Sequence, residues 1–261
     1  MFPAMLEHRF SKLLVFVTFC LLLLGGFVHN TGSSLACPDW PLCYGSLMPE
    51  MKGGVAIEHS HRLLASAVGL MTIVLSILLW KRRREDKKLQ RMGVIALVLV
   101  IVQGLLGGVT VIYQLPSLIS TTHLAVSMLF FSLLIVIAWK TNPSSPPLTS
   151  RGGTLHSPSW DKRGLGGVSK KTHPYIFFVT AMVYLQIILG AFIRHTEAGL
   201  ICPELPLCYG FFWPSSLTAA NEFHMAHRIG GIIVALLVFS LPLFVKDRLL
   251  SVLASLLVFV Q

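Results

Sequence analysis

The chain has 261 residues, 54% of them hydrophobic and only 12% charged, with a formal net charge of +10 at pH 7. Too little charge is present to cover a soluble globular domain. Nucleic-acid binding is also disfavoured, because the basic residues lie between long apolar runs, where they orient a membrane protein, and not on a soluble face.

In chain order the apolar runs predict six membrane spans over 12–28, 57–80, 92–113, 118–139, 174–194 and 221–245. Each is near the ~20 residues a helix needs to cross a bilayer. A seventh run begins at Leu249 and ends after 12 residues. The first run is not read as a signal peptide, since cleavage at Gly25-Gly26 would cut the repeated unit described below. No Arg- and Ser-rich transit peptide precedes it, which favours a bacterial plasma membrane. Basic loops follow the second, fourth and sixth runs, at 81–88, 140–171 and 246–248. These share one side, which the positive-inside tendency makes cytoplasmic, together with the N-terminus. The loops after the first and fifth runs then face outward.

Those two outward loops are one object written twice. Cys37-Pro38-Asp39-Trp40-Pro41-Leu42-Cys43 precedes Glu58-His59-Ser60-His61-Arg62, and Cys202-Pro203-Glu204-Leu205-Pro206-Leu207-Cys208 precedes Glu222-Phe223-His224-Met225-Ala226-His227-Arg228. From first cysteine to last histidine is 24 residues in one copy and 25 in the other. A repeat that keeps Cys, Glu and His-Arg inside an apolar chain points to a duplicated site. The sequence therefore predicts an all-α integral membrane protein of two repeated four-helix halves. The first half is 1–140, a Pro-, Gly- and Ser-rich cytoplasmic linker is 141–172, and the second half is 173–261. His123, in the fourth span, lies 62 residues beyond His61. The same interval from His227 passes Gln261, so the second half reads as cut within its seventh helix, short of an eight-helix pattern.

Ionisable side chains inside spans are costly and mark function. His61 and His123 fall at matched depth in different spans, and His227 repeats the depth of His61. Such a pair can ligate one haem iron from its two faces, between helices of a bundle. His61, Ala65 and Gly69 share a helix face, as do His227, Gly231 and Ala235, and small residues there leave a groove; helix packing is the alternative use of such a stripe. Zinc is disfavoured by the spacing of the histidines and cysteines. His59 reads as an interfacial residue, His224 as an alternative ligand to His227, and His29 and His195 as site-lining or interfacial. Glu58, three residues before His61, is either a proton acceptor or a helix N-terminal charge. Glu222 is five before His227, so the halves differ. Arg62 and Arg228 are expected to grip haem propionates or to snorkel. Cys37–Cys43 and Cys202–Cys208 are expected disulfides in an oxidising compartment, the first pair the stronger candidate for redox activity. Cys20 is expected to pack.

Glu58-x-x-His61-Arg62, His123, the Cys37/Cys43 loop and His227-Arg228 together resemble the haem A synthase family over nearly the whole chain. The resemblance implies an oxidoreductase that converts the C8 ring methyl of haem O to a formyl group, making haem A for terminal oxidases. It implies that His61 and His123 ligate the substrate haem O, that His227 ligates a resident haem b, and that Glu58, Cys37 and Cys43 serve the oxidation. Haem O synthase and the terminal oxidase are implied partners, beside membrane lipid, and a homo-oligomer is compatible. Competing readings are a di-haem b-type electron-transfer protein and a non-catalytic haem-binding assembly chaperone; a transporter ranks last.

Overall fold

The structure, a computed structural model, describes residues 3–143, 173–196, 198–202, 204, 207–211, 218–245 and 248–260. It is all-helical, as expected. The helices are α1 (Pro3–Asn30), α2 (Gly53–Arg82), α3 (Lys87–Ile112), α4 (Ser117–Lys140), α5 (His173–His195), α6 (Ala219–Phe244) and α7 (Arg248–Val260), with one 3-10 turn at Ala198–Leu200. α1 to α6 are long and apolar enough to cross a membrane, so the chain is a multi-pass membrane protein. Most helices outrun the apolar run that predicted them. α1 starts at Pro3 and α2 at Gly53, because a helix ladder does not stop where hydropathy falls; it stops at caps and breakers. Asp86 supplies such a cap, its carboxylate accepting the Leu89 N–H at 2.9 Å.

The chain divides into two compact units, Met1–Leu148 and Thr149–Gln261. From residue 144 the linker expected over 141–172 lies outside the described residues.

In the first unit each helix packs on its chain neighbours and α1 closes the ring on α4, so α2 and α4 stand diagonally. Leu14, Val68, Leu75, Leu79, Leu89, Ala96, Phe130, Leu134 and Ile137 form its buried core. They come from the N-terminal parts of α1 and α3 and the C-terminal parts of α2 and α4, which is one end of an up-and-down bundle. Polar ties staple the same end: Ser76 donates to the Gly93 carbonyl at 2.8 Å and Gln90 to the Trp80 carbonyl at 3.0 Å. Such interhelical bonds take the place of a hydrophobic drive, which lipid does not supply. The opposite end, where α1 meets α2 through the first cysteine loop, carries His61 and His123.

The second unit packs α6 between α5 and α7 around Val179, Val234 and Val238. The hydroxyls of Tyr175 and Ser240 bond each other across α5 and α6.

Candidate functional site

The two cysteine loops fold the same way, and the sequence explains why. Both disulfides, Cys37–Cys43 and Cys202–Cys208, are closed. Each second cysteine opens a two-residue turn: Cys43 pairs with Ser46 and Cys208 with Phe211 through reciprocal backbone bonds of 2.9–3.1 Å. The turn residues are Tyr44-Gly45 and Tyr209-Gly210, all at positive φ, with both tyrosines at 53°. That conformation suits glycine and strains tyrosine. A carboxylate holds it. Asp39 accepts the Tyr44 N–H at 2.6 Å and the Gly45 N–H at 2.8 Å, and Glu204 accepts the Gly210 N–H at 3.0 Å. The Gly45 N–H, followed by that of Tyr44 and the Arg62 charge, holds the exposed Asp39 carboxyl below its ordinary value of 3.8.

An arginine fastens each loop to its helix. Arg62 donates to the carbonyls of Asp39 (2.6 Å), Leu42 (2.7 Å) and Cys37 (3.0 Å). Arg228 donates to those of Glu204 (2.5 Å), Leu207 (2.8 Å) and Cys202 (2.7 Å). The same three loop positions are used in both copies. The guanidinium groups expected to grip haem propionates are thus turned onto loop carbonyls. A tight disulfide ring leaves carbonyls converging on one side, and a planar fork with five donors meets them.

The copies part at the acid. Glu58 is buried; its Oε1 accepts from Arg62 at 2.5 Å and its Oε2 accepts the Cys37 N–H at 2.8 Å. Counting back from His-Arg, the residue in its place in α6 is His224, not Glu222. His224 is buried with Nδ1 on the Ala198 carbonyl at 2.7 Å, and Glu222 is exposed. His59 also departs from its interfacial reading. It is buried, its Nε2 lies 3.1 Å from the Leu47 carbonyl, and it sits against the Cys37–Cys43 sulfurs. Met225 takes its place against Cys202 and Cys208. The two sulfurs are consumed in the disulfide, so this cluster is not a metal site in the oxidised protein. His29 and His195 sit half-buried in the last turns of α1 and α5, and Cys20 is a half-buried free thiol in α1.

The histidines in the spans have a shared geometry. His61 on α2 and His123 on α4 stand on diagonal helices and are electrostatic neighbours. The Nδ1 of each is buried without a hydrogen-bond partner among the described residues. A glycine on the preceding helix faces each ring. A Cβ at Gly25 would lie 3.0 Å from His61 Cε1, one at Gly107 3.4 Å from His123 Cε1, and one at Gly190 2.8 Å from His227 Cε1. Of the expected grooves, Gly69 faces open space, whereas the room at Gly231 is taken by the amide of Gln186. Trp40 reaches from the first loop onto α3, where a Cβ at Gly108 would meet its ring at 2.7 Å. The first loop therefore touches both the His61 helix and the helix that packs on His123.

A family model described as a cytochrome oxidase assembly protein, COX15-CtaA, matches residues 8–56 and 50–261. The chain belongs to the COX15-CtaA family. A protein named heme A synthase from Shouchella clausii is 32% identical over 243 residues, covering 90% of this chain and 76% of the relative. Proteins of the same name from Alkalihalophilus pseudofirmus and Halalkalibacterium halodurans are 31% and 30% identical, covering 87% and 83% of this chain and 72% and 68% of the relatives. Membership makes this chain an enzyme of the oxidoreductase class. Within this COX15-CtaA chain, two histidines on diagonal helices, each with its ring against a glycine, form a donor pair that suits a haem iron between them.

Gln103 and Gln186 are uncharged and stand at positions the repeat does not relate, so the sequence pattern does not single them out. Gln103 Nε2 donates to the His123 carbonyl at 2.8 Å, and Gln186 Nε2 to the His227 carbonyl at 2.8 Å. The available signal is Gln-x-x-x-Gly, at Gln103…Gly107 and Gln186…Gly190, on two of the three helices that precede a histidine helix.

Proposed function

We propose that the chain is a haem A synthase that oxidises the C8 ring methyl of haem O to a formyl group, stepwise through a hydroxymethyl stage. One observation carries the reading: His61 and His123 oppose each other across the glycine-lined end of the first bundle, in a chain whose relatives are named heme A synthase. In this reading residues 1–140 hold the substrate and residues 173–261 hold a resident haem b on His227. Bound there, haem b supplies one-electron chemistry.

The chain's own residues do the rest. His61 and His123 orient the substrate ring so that one methyl is presented at a fixed place. Glu58 takes up protons released as the methyl is oxidised, and the Arg62 charge draws the carboxylate back to its loop-bound position between turnovers. The Cys37–Cys43 loop, joined to α2 through Glu58 and to α3 through Trp40, roofs the site against bulk water. Arg62 and Arg228 hold the loops. Cys202–Cys208 shapes the second loop, where no acid replaces Glu58. A haem O synthase is the upstream partner and a terminal oxidase the recipient, in a bacterial plasma membrane with the cysteine loops outside.

Two measurements test this. Haems extracted from detergent-purified protein, made in cells that supply haem O, should include haem A or its hydroxymethyl precursor. Haem b alone would favour the di-haem electron-transfer reading, and unconverted haem O a chaperone. In Glu58→Gln, haem binding should persist while formyl product falls by about a hundredfold or more, the loss expected when a positioned proton acceptor is removed; normal haem A yield from that variant would remove Glu58 from the chemistry.

A further inference from the structure

The glutamine on α3 and the glutamine on α5 make the same contact with a candidate ligand histidine. A helix carbonyl keeps a second lone pair after accepting its own ladder bond, and the amide takes it. The Gln103 amide reaches the His123 carbonyl and the Gln186 amide the His227 carbonyl, each at 2.8 Å. The Gln186 amide also lies 2.9 Å from His227 Nδ1, so it touches ring as well as backbone. One helical turn beyond each glutamine is the glycine that receives the same histidine's ring, Gly107 or Gly190. Main chain and ring are therefore fixed from one face of one neighbouring helix.

Two features argue against simple helix glue. Gln103 leaves its Oε1 buried and without a partner among the described residues, a cost in a membrane that packing by a small residue would avoid. The pairing also recurs on helices that do not correspond under the half-chain repeat, α3 in one unit and α5 in the other. The position in α1 that does correspond to Gln186 is Leu21, four residues before Gly25. His61 has its glycine at 3.0 Å and a ring bond to the Leu21 main chain, but no side-chain amide on its own carbonyl, because the leucine side chain cannot donate.

We propose that Gln103 and Gln186 are positioning residues that fix His123 and His227, and that His61, whose main chain is held by no amide among the described residues, is the axial ligand that yields as substrate enters and product leaves. The inference rests on the haem reading above. It assigns the two substrate ligands unequal tasks: His123 is the fixed post and His61 the gate.

The test uses the full chain loaded with haem, with Gln103→Leu and Leu21→Gln as variants. Total haem is counted by pyridine haemochrome, and ligand lability by the ferric high-spin fraction and by carbon monoxide binding to the ferrous form. Gln103→Leu should raise the carbon monoxide-reactive fraction several-fold at nearly unchanged haem content. Leu21→Gln should lower it below wild type, by giving His61 the missing brace. A Gln103→Leu protein that loses thermal stability yet keeps the wild-type high-spin fraction and carbon monoxide reactivity would reduce the glutamine to glue and overturn the proposal. If Gln103→Leu does not fold, Leu21→Gln decides alone, and unchanged carbon monoxide reactivity overturns it. Wild-type protein that takes up no haem sinks the functional reading instead. Backbone hydrogen exchange around His123 in haem-free protein then reads the brace by itself: faster exchange in Gln103→Leu supports it, and equal exchange refutes it.

Discussion

Asp39 shows how one side chain sets a loop. Its two carboxylate oxygens take the N–H groups of Tyr44 and Gly45, which lets a tyrosine sit at φ 53°. Those bonds, with Arg62 nearby, favour the charged carboxylate and hold its pKa below 3.8. A depressed folded value means that the contribution is complete well above 3.8 and is lost as pH falls from there through the folded pKa. An asparagine side chain in its place would keep one acceptor and no charge. Asp39→Asn should therefore let a phosphine open Cys37–Cys43 faster at pH 7, on the order of a fewfold. The ratio of variant to wild-type rate should fall towards one below pH 3.8, which also cancels the reagent's own pH dependence. A ratio that stays constant with pH would show that the carboxylate does not hold the turn.

The loop, as an element, is fastened differently in its two copies, and the difference sets an energetic ranking. Arg62 serves three carbonyls and the buried Glu58, whereas Arg228 serves three carbonyls and, among the described residues, no acid. Arg62→Ala strands a buried carboxylate, at about 3–5 kcal/mol. Arg228→Ala strands only carbonyls, at about 1–3 kcal/mol. Denaturant unfolding in detergent should rank them so, and the Arg62→Ala, Glu58→Gln pair should be milder than the sum of its single changes. Equal costs for the two arginines would mean that Glu58 is not held as an ion pair. This asymmetry was only half legible in the sequence. The repeated Cys, Pro and His-Arg spacing revealed the loop and its disulfides, because covalent geometry and turn chemistry are local. The extra residue in the second copy hid the alignment of His224 with Glu58, and Glu222 drew attention to itself as the only nearby acid. His59 was read from helix phase alone, which cannot tell that the loop folds back over that side of α2. Gln103 and Gln186 carry no charge, so their cost in a membrane was not weighed. The six spans were plain, since apolar length is a direct physical requirement of the bilayer; the ring order of the first bundle needed the contacts themselves.

At the scale of the whole molecule, charge and redox chemistry ask for the same orientation. The run Lys81-Arg82-Arg83-Arg84 and the N-terminal Arg9 and Lys12 lie at the end of the first bundle opposite the disulfide loop. The orientation proposed above, from the positive-inside tendency, assigns that end to the cytoplasm. In that proposed orientation Cys37–Cys43 faces an oxidising space, where such a bond persists. A reversed chain would expose it to cytoplasmic thiols, and the loop tied to Glu58 and Trp40 would lose its shape. Single cysteines report the arrangement directly. Lys52 and Arg84 are both exposed, at the loop end and the basic end. A membrane-impermeant maleimide should label Lys52→Cys in intact spheroplasts and Arg84→Cys only in inverted vesicles, with half-buried Cys20 giving the shared background. Labelling of Arg84→Cys from outside would place Cys37–Cys43 in the reducing compartment, and the first loop could then not work as a fixed roof over its histidine.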